Sequence, residues 1–395
     1  MQQLKYRHRL YPTPNEHAEL RRIVGCVRFV WNHFLAREID TYKQTGHFNF
    51  YNTNSADLTK LKQQPATDFL NLVPSTALQQ TLRDLDRSLR TFLKKRNTRK
   101  PVGFPKFKKK RNQDGSFTLA MVNASRNIDG DLFHIKKGLD VKFIQHRPLP
   151  SDFKTCQIKQ DGDIWFVVLT VEKAPIKSPA TGKTVGIDLN SKDFVLSDGT
   201  RFPIPKYLKE AQHQIKKLQR KLAKAKKGSK NRDKIRAQLY KVHQSVRNKR
   251  LDYFHKLSRR LVNDYDFIVL EDLDVKSMQQ TRSHVIKDNG FAMFRAMIEY
   301  KCKLYGKQVF VIDRYYPSSQ LCSNCGELHK MPDDENRLYE CPDCGLIMDR
   351  DLNAAINIER AGTAPDNACG DDSLMKQMVT NAIMSGINDA GSYVL

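Results

Sequence analysis

Apolar residues recur along the chain with two different periods, and the changes between them divide it. Residues 5–11 alternate as a strand does and stop at Pro12 and Pro14, after which apolar positions in 16–37 follow helical spacing. Ser75, followed by Leu78, Leu82, Leu85, Leu89 and Leu93, predicts a capped amphipathic helix with a polar, basic outer face. The helix runs into KKRNTRKPVGFPKFKKKR, residues 94–111, where Phe104 and Phe107 interleave with Lys and Arg. From 116 to 173 the period shortens to two. Residues 117–121, 140–144 and 165–171 read as short strands, with turns at Asp129-Gly130 and Asp161-Gly162, and predict a small β domain. A Pro- and Lys-bearing linker, 174–183, precedes a strand at 185–188 and a hairpin-like pair around Asp198-Gly199. Residues 206–260 are helical and basic, with a break near 226–230. Two apolar strands, 267–270 and 309–312, then flank a helix at 294–305, an order that predicts an α/β sheet domain. The tail from 362 to 395 has little periodicity and is expected to be poorly ordered.

Charge narrows the class of partner. The chain has 395 residues, room for two to three domains at about 150 residues each, and its 68 Lys and Arg against 43 Asp and Glu leave a net charge of +25. Such an excess points to a polyanion, nucleic acid first. The longest largely apolar run, 164–171, falls far short of the ~20 residues that span a bilayer, so no membrane association is expected. The first nine residues are charged and strand-like with no apolar stretch behind them, so a secretory signal is not expected either.

Of eight cysteines, Cys26, Cys156, Cys302 and Cys369 are scattered and the other four form two C-x-x-C pairs. This usage fits a reducing cytosol and a metal site better than a disulfide framework. Cys322-Ser-Asn-Cys325 and Cys341-Pro-Asp-Cys344 have the spacing of two knuckles that fold together to give four thiolates in tetrahedral array, and each is followed by Gly, Gly326 and Gly345. The expected ligand is one structural Zn²⁺ with no open coordination position.

Three carboxylates stand at element ends. Asp188 closes a strand in which Val185 and Ile187 face one side and Gly186 and Asp188 the other, so a small residue leaves space beside the carboxylate. Glu271 closes the strand at 267–270 on the face of Val269, with Asp272 pointing away. Asp351 opens a short helix expected at 352–360, where an N-cap would be its ordinary role. Together they form the acidic set of an RNase H-like nuclease, whose hard oxygen ligands suit two catalytic Mg²⁺ ions acting on a phosphodiester. Asp264, Asp266, Asp274, Asp313 and Asp349 compete for these roles, Asp313 most seriously because it also ends a strand.

GIDLN at 186–190, VLEDLDVKSM at 269–278, SSQLCSNCG at 318–326, YECPDCGLIMDRDLNAAINI at 339–358 and GFPKFK at 103–108 together resemble the TnpB family. These are RNA-guided DNA endonucleases encoded by insertion sequences and similar to compact type V CRISPR nucleases. The resemblance spans the chain to about residue 360. It implies a mixed α/β, multidomain protein. A wedge β-barrel (1–15 and 101–180) would be interrupted by a helical recognition domain (16–100). A RuvC-like nuclease domain (181–317 and 346–362) would carry a zinc ribbon (318–345), and a flexible tail (363–395) would follow. By motif it makes Asp188, Glu271 and Asp351 the catalytic, Mg²⁺-binding acids. It further implies a guide RNA from the element's own end, double-stranded target DNA next to a short target-adjacent motif, one chain per guide RNA, and a prokaryotic cytosol with nucleoid association. Two positions depart from the family pattern: Asn190 stands where Gly is frequent and Asp272 where Asn is common. The competing functions are a guided DNA-binding repressor that does not cut and a guide-independent transposition accessory factor.

Overall fold

The structure, a computed structural model, describes residues 2–98, 101–110, 114–120, 122, 124–149, 153–190, 192–273, 290–330 and 337–364. The tail from 365 on, Met121, Asp274, Cys369 and the end of the 269–278 motif lie outside the described residues. The chain divides into two compact units, Gln3–Lys173 and the part from Ala174 onward.

In the first unit, β1 (Gln2–Leu10) is followed by α1 (Pro14–Thr45), α2 (Phe50–Leu61), a 3₁₀ segment (Pro65–Leu72) and α3 (Ser75–Lys95). Helix α1 begins earlier and ends later than its periodicity suggested. Thr13 and Glu16 cap it reciprocally, Pro14 fits the first turn, and Gly46 closes it with φ 73°. At α3 the expected cap is displaced. Pro74 occupies the N-cap, Ser75 is the first helical residue, and its hydroxyl accepts from Lys62 Nζ at 3.2 Å. Leu78, Leu82, Leu85 and Leu89 are buried as the pattern requires.

The β part comprises β2 (Asp114–Ala120), a short α4 (Ala124–Asn127), β3 (Ile128–Asp129), β4 (Leu132–Lys136), β5 (Leu139–Lys142), β6 (Phe153–Asp161) and β7 (Ile164–Lys173). Two sheets form, ordered β1-β7-β6-β2 and β3-β4-β5, with an isolated bridge between Leu10 and Phe143. Strict alternation along β7 sends Trp165, Val167, Leu169 and Val171 inward against Cys156 and Ile158 of β6. The basic segment at 101–110 is extended and strapped to α1. Trp31 Nε1 donates to Lys106 O, Asn32 and Lys108 exchange two hydrogen bonds, and Lys108 Nζ lies 3.9 Å from the Trp31 ring centroid. Phe104 turns into the core beside Phe48 and Phe92, while Phe107 remains exposed.

The second unit is a three-layer α/β arrangement. Its strands β8 (Thr184–Leu189), β9 (Asp193–Leu196), β10 (Arg201–Pro203), β11 (Phe267–Glu271) and β12 (Gln308–Ile312) are ordered β10-β9-β8-β11-β12. The pairs β8–β11 and β11–β12 are parallel, and the β8-β9-β10 meander is antiparallel. On one face, α6 (Lys230–Asp264) and α7 (Phe291–Tyr305) bury Val185, Ile187, Ile268 and Leu270 under Phe254, Leu261, Phe294 and Ile298. The other face carries Gly186 and Val269 beneath α8 (Arg350–Thr363). Helix α5 (Tyr207–Lys224) pairs with α6 as a hairpin broken where expected. Its only buried side chains are Ile215 and Leu218, so Lys216, Lys217, Arg220 and Lys221 are exposed. A two-stranded ribbon, β13 (Leu338–Glu340) with β14 (Ile347–Asp349), leads into α8. Among the described residues no helix is long and apolar enough to cross a membrane.

Candidate active site and metal centre

Strand register brings two of the three carboxylates together. Gly186 lies opposite Val269 and Ile187 opposite Leu270, so Asp188 and Glu271 stand at adjoining ends of parallel strands on the same face. Helix α8 can reach that face because position 186 has no side chain. A Cβ there would lie 2.2 Å from Ala355 O and 2.4 Å from Glu359 N. Glu359 is fixed in turn by the Thr184 hydroxyl, which donates to its Oε1.

The helix begins with a cap that the sequence assigned elsewhere. Asp349 is the N-cap and accepts from the N–H groups of Asp351 and Leu352, both at 3.0 Å. The Asp351 side chain is thereby spared that role, and it is 9% exposed. Its Oδ2 accepts from Arg337 Nη1 at 2.7 Å, with Arg201 Nη1 at 4.0 Å. Arg201 also pairs with Asp349 at 2.5 Å and with Asp193 at 3.1 Å. Drawn to Arg337, Asp351 does not close with Asp188 and Glu271 into a set whose oxygens all lie within 4.8 Å, among the described residues.

These positions change proton affinities. Burial, and then the charges of Glu271, Asp351 and Asp193, push the Asp188 carboxyl well above the ordinary carboxylate range. Burial pushes Glu271 to about 7, against the pull of the Leu189 N–H and of Asp188 itself. Both carboxyls therefore hold a proton more tightly than an ordinary carboxylate when no cation lies between them. Burial also raises Asp351, with Arg337 opposing. An all-oxygen donor set that holds a proton for want of positive charge is chemically suited to a hard divalent cation.

The competing acids have other duties. Asp313 is exposed and accepts from Tyr315 N in a turn. Asp266 takes the N–H groups of Thr181 and Gly182, both at 2.7 Å, and pairs with Lys307. Asp264 pairs with Arg260 across one helical turn. Asp272, the departure from the family pattern, lies between Arg295 (2.6 Å) and Arg314 (2.8 Å).

The four knuckle cysteines converge. Cys322 and Cys344 sulfurs are 3.6 Å apart, Cys325 and Cys341 sulfurs 3.5 Å, and all four lie within 4.8 Å of one another. Four thiolates at about 2.3 Å around one tetrahedral Zn²⁺ would be about 3.8 Å apart, so the set fits. The two knuckles repeat one geometry: Gly326 N donates to Cys322 O and Gly345 N to Cys341 O, both at 3.0 Å, with φ of 82° and 70° at the glycines. Asn324 N points at Cys322 Sγ at 3.4 Å. The Asn324 side chain, and then the Leu346 N–H, hold the Cys344 thiol down at about 6, whereas Cys325 and Cys341 in the same cluster are raised.

Two asparagines join this centre to the carboxylate helix. Asn353 donates to Leu321 O and accepts from Ser323 N; Asn357 donates to the carbonyls of Ser318 and Leu321. Both are buried and stand one turn apart on α8. Neither they nor Arg201, Arg337 and Asp193 had been singled out from the sequence. The asparagines sit inside the recognised 339–358 motif, whereas the arginines carry no local signal.

Comparison with known proteins follows the same lines. Family profiles described as "Helix-turn-helix domain", "Probable transposase" and "Cas12f1-like, TNB domain" match residues 1–47, 166–282 and 291–358. A protein of Streptomyces pristinaespiralis named "Putative RNA-guided DNA endonuclease" is 36% identical over 379 residues, covering 94% of this chain and 92% of its own. "Putative RNA-guided DNA endonuclease InsQ" of Escherichia coli (strain K12) is 29% identical over 390 residues, covering 93% and 94%. Among solved structures, one described as "Cryo-EM structure of the Cas12f1-sgRNA-target DNA complex" superposes with TM-score 0.54 at 14% identity, over 90% of this chain and 84% of that one, a likeness of fold. With identity of this level over nearly the full length of both chains, the protein belongs to the TnpB family of RNA-guided DNA endonucleases.

Proposed function

We propose that the chain cleaves double-stranded DNA beside a short target-adjacent motif, directed by a guide RNA from its own element, with Asp188, Glu271 and Asp351 as the acids of a two-Mg²⁺ RuvC-type centre. The observation that carries this reading is the placement of Asp188 and Glu271 at adjoining strand ends on the face that α8 covers, where burial raises both carboxyls. Ions bound there would activate a water and stabilise the leaving oxygen of the phosphodiester. The protein's own part is to hold Asp188 and Glu271 rigidly on the sheet and to present Asp351 from a helix that Asp349 caps. Arg201 and Arg337 offset the remaining negative charge.

The same reading takes the first unit as a wedge barrel with a helical recognition insert (16–100). The Leu10–Phe143 bridge, which brings the end of β1 to the residue just past β5, supports it. The four cysteines would hold one structural Zn²⁺ in a ribbon set into the nuclease domain. The superposable Cas12f1 complex contains sgRNA and target DNA; partners of the same two kinds are proposed for this chain, and its charge of +25 suits them. Action in the cytosol by one chain per guide completes the proposal.

The test is Mg²⁺-dependent cleavage of a plasmid bearing the guide-matched site, by wild type and Asp188→Ala. Loss of cutting with guided binding intact is the expected result. Cleavage surviving in the variant would refute the metal-site assignment, and binding without cleavage by the wild type would favour a repressor. Guide-independent cutting would favour the accessory factor.

A further inference from the structure

His329 lies outside every motif in the sequence, yet the fold seats its ring against the cysteine centre. Leu321 and Leu328 form an antiparallel bridge, and His329 N donates to Gln320 O at 2.9 Å, so the residue leaves the first knuckle on fixed backbone. Its side chain crosses to the second knuckle, where Nε2 stands 3.5 Å from Cys341 Sγ and 3.1 Å from Asp343 Oδ2. Cys341 is buried, whereas the Asp343 side chain is 54% exposed, so water screens the second contact and not the first. The ring touches one sulfur only. It is not part of the set of four cysteines whose sulfurs all lie within 4.8 Å; its ligand atom lies within 4.8 Å of those of Cys341 and Asp343, a second group that shares Cys341 with the first.

We propose that His329 is a positioning residue for the metal centre: its Nε2–H donates to the Cys341 thiolate, ties the first knuckle to the second and slows release of the zinc. The chemistry follows from charge. Four thiolates around one Zn²⁺ leave two negative charges, and N–H donors aimed at the sulfurs offset them. Other N–H groups also meet the sulfurs: Asn324 N meets Cys322 of its own knuckle, the Asn324 side chain reaches Cys344, and the Leu346 N–H at Cys344 follows the second knuckle. Like the Asn324 side chain at Cys344, the His329 contact runs from one knuckle to a sulfur of the other, so it opposes their separation as well as stabilising the thiolate.

This inference rests on the reading that the four cysteines hold zinc, and the experiment separates the two. The full-length protein, purified with zinc, is analysed for metal content and coordination by X-ray absorption, and zinc transfer to a chromophoric chelator is timed. One zinc with four sulfur ligands is expected. His329→Ala should release it about ten-fold faster or more, and His329→Gln, whose amide N–H reaches the same point, should stay near the wild-type rate. Equal release by wild type and His329→Ala would overturn the proposal while leaving the zinc reading intact. Three sulfurs and one nitrogen would overturn it by making the ring a ligand, and absence of zinc from the wild type would remove the cysteine reading itself. Circular dichroism of both variants separates slower or faster release from general unfolding.

Discussion

At the scale of single residues, the raised proton affinity of Asp188 and Glu271 makes the acid pair sensitive to pH. Both carboxyls sit above their ordinary values, Glu271 at about 7, so the folded, cation-free chain binds more protons than the unfolded one between the ordinary Glu range and about pH 7. Stability from this pair is therefore complete at low pH and declines as pH rises through that window. Melting temperatures of wild type minus Glu271→Gln, taken without divalent ions, should fall from pH 5 to pH 8, and Mg²⁺ should recover most of the loss. A flat difference would show that the fold does not raise the proton affinity of Glu271. Helix caps give a second residue-level test. Thr13→Ala removes a working cap and should cost about 1 kcal/mol, whereas Ser75→Ala should be nearly silent because Pro74 holds that cap position; chemical denaturation measures both. The Ser75 case also shows where the sequence misled. A Ser before an apolar stripe is the usual N-cap signal, but a 3₁₀ segment just upstream changes how the chain enters the helix. Asp351 misled in the reverse direction, since Asp349 caps α8 and leaves it free of that duty.

At the scale of elements, the close approach of α8 to β8 makes Gly186 irreplaceable. Gly186→Ala sets a methyl group against backbone atoms of Ala355 and Glu359, which cannot swing aside as a side chain would. The expected cost is about 1–3 kcal/mol, read by denaturation, together with impaired cleavage, since Asp351 rides on the displaced helix. The strand-end positions of Asp188 and Glu271 were legible because period-two alternation fixes which face each residue takes. That α8 crosses the face carrying them is a packing fact no local pattern encodes; the sequence grouped Asp351 with them from the order of three element-end acids and from the motif resemblance. Arg337 and Arg201 were invisible for the same reason: their partner Asp351 lies 14 and 150 residues away in the chain.

At the scale of the molecule, two basic runs stand out, the strap at 101–110 and the exposed face of α5 and α6. Log binding constants for guide RNA or duplex should fall linearly with log salt. Replacing Lys216, Lys217, Arg220 and Lys221 by Ala should flatten that slope by about 3 on single strands and by up to about 4 on duplex if all four meet phosphates. An unchanged slope would mark the α5 face as merely solvated. The strap shows how a run of charge conceals its parts: the sequence could not separate Phe104 from Phe107, and packing against Phe48 and Phe92 does. Helix α8 has one further consequence. Its asparagines grip the first knuckle while its backbone presses on Gly186, so the thiols and the acids share a single support. Oxidation of the cysteines should therefore disturb the carboxylates without touching them, and activity that depends on those acids should show the redox sensitivity of a thiol protein.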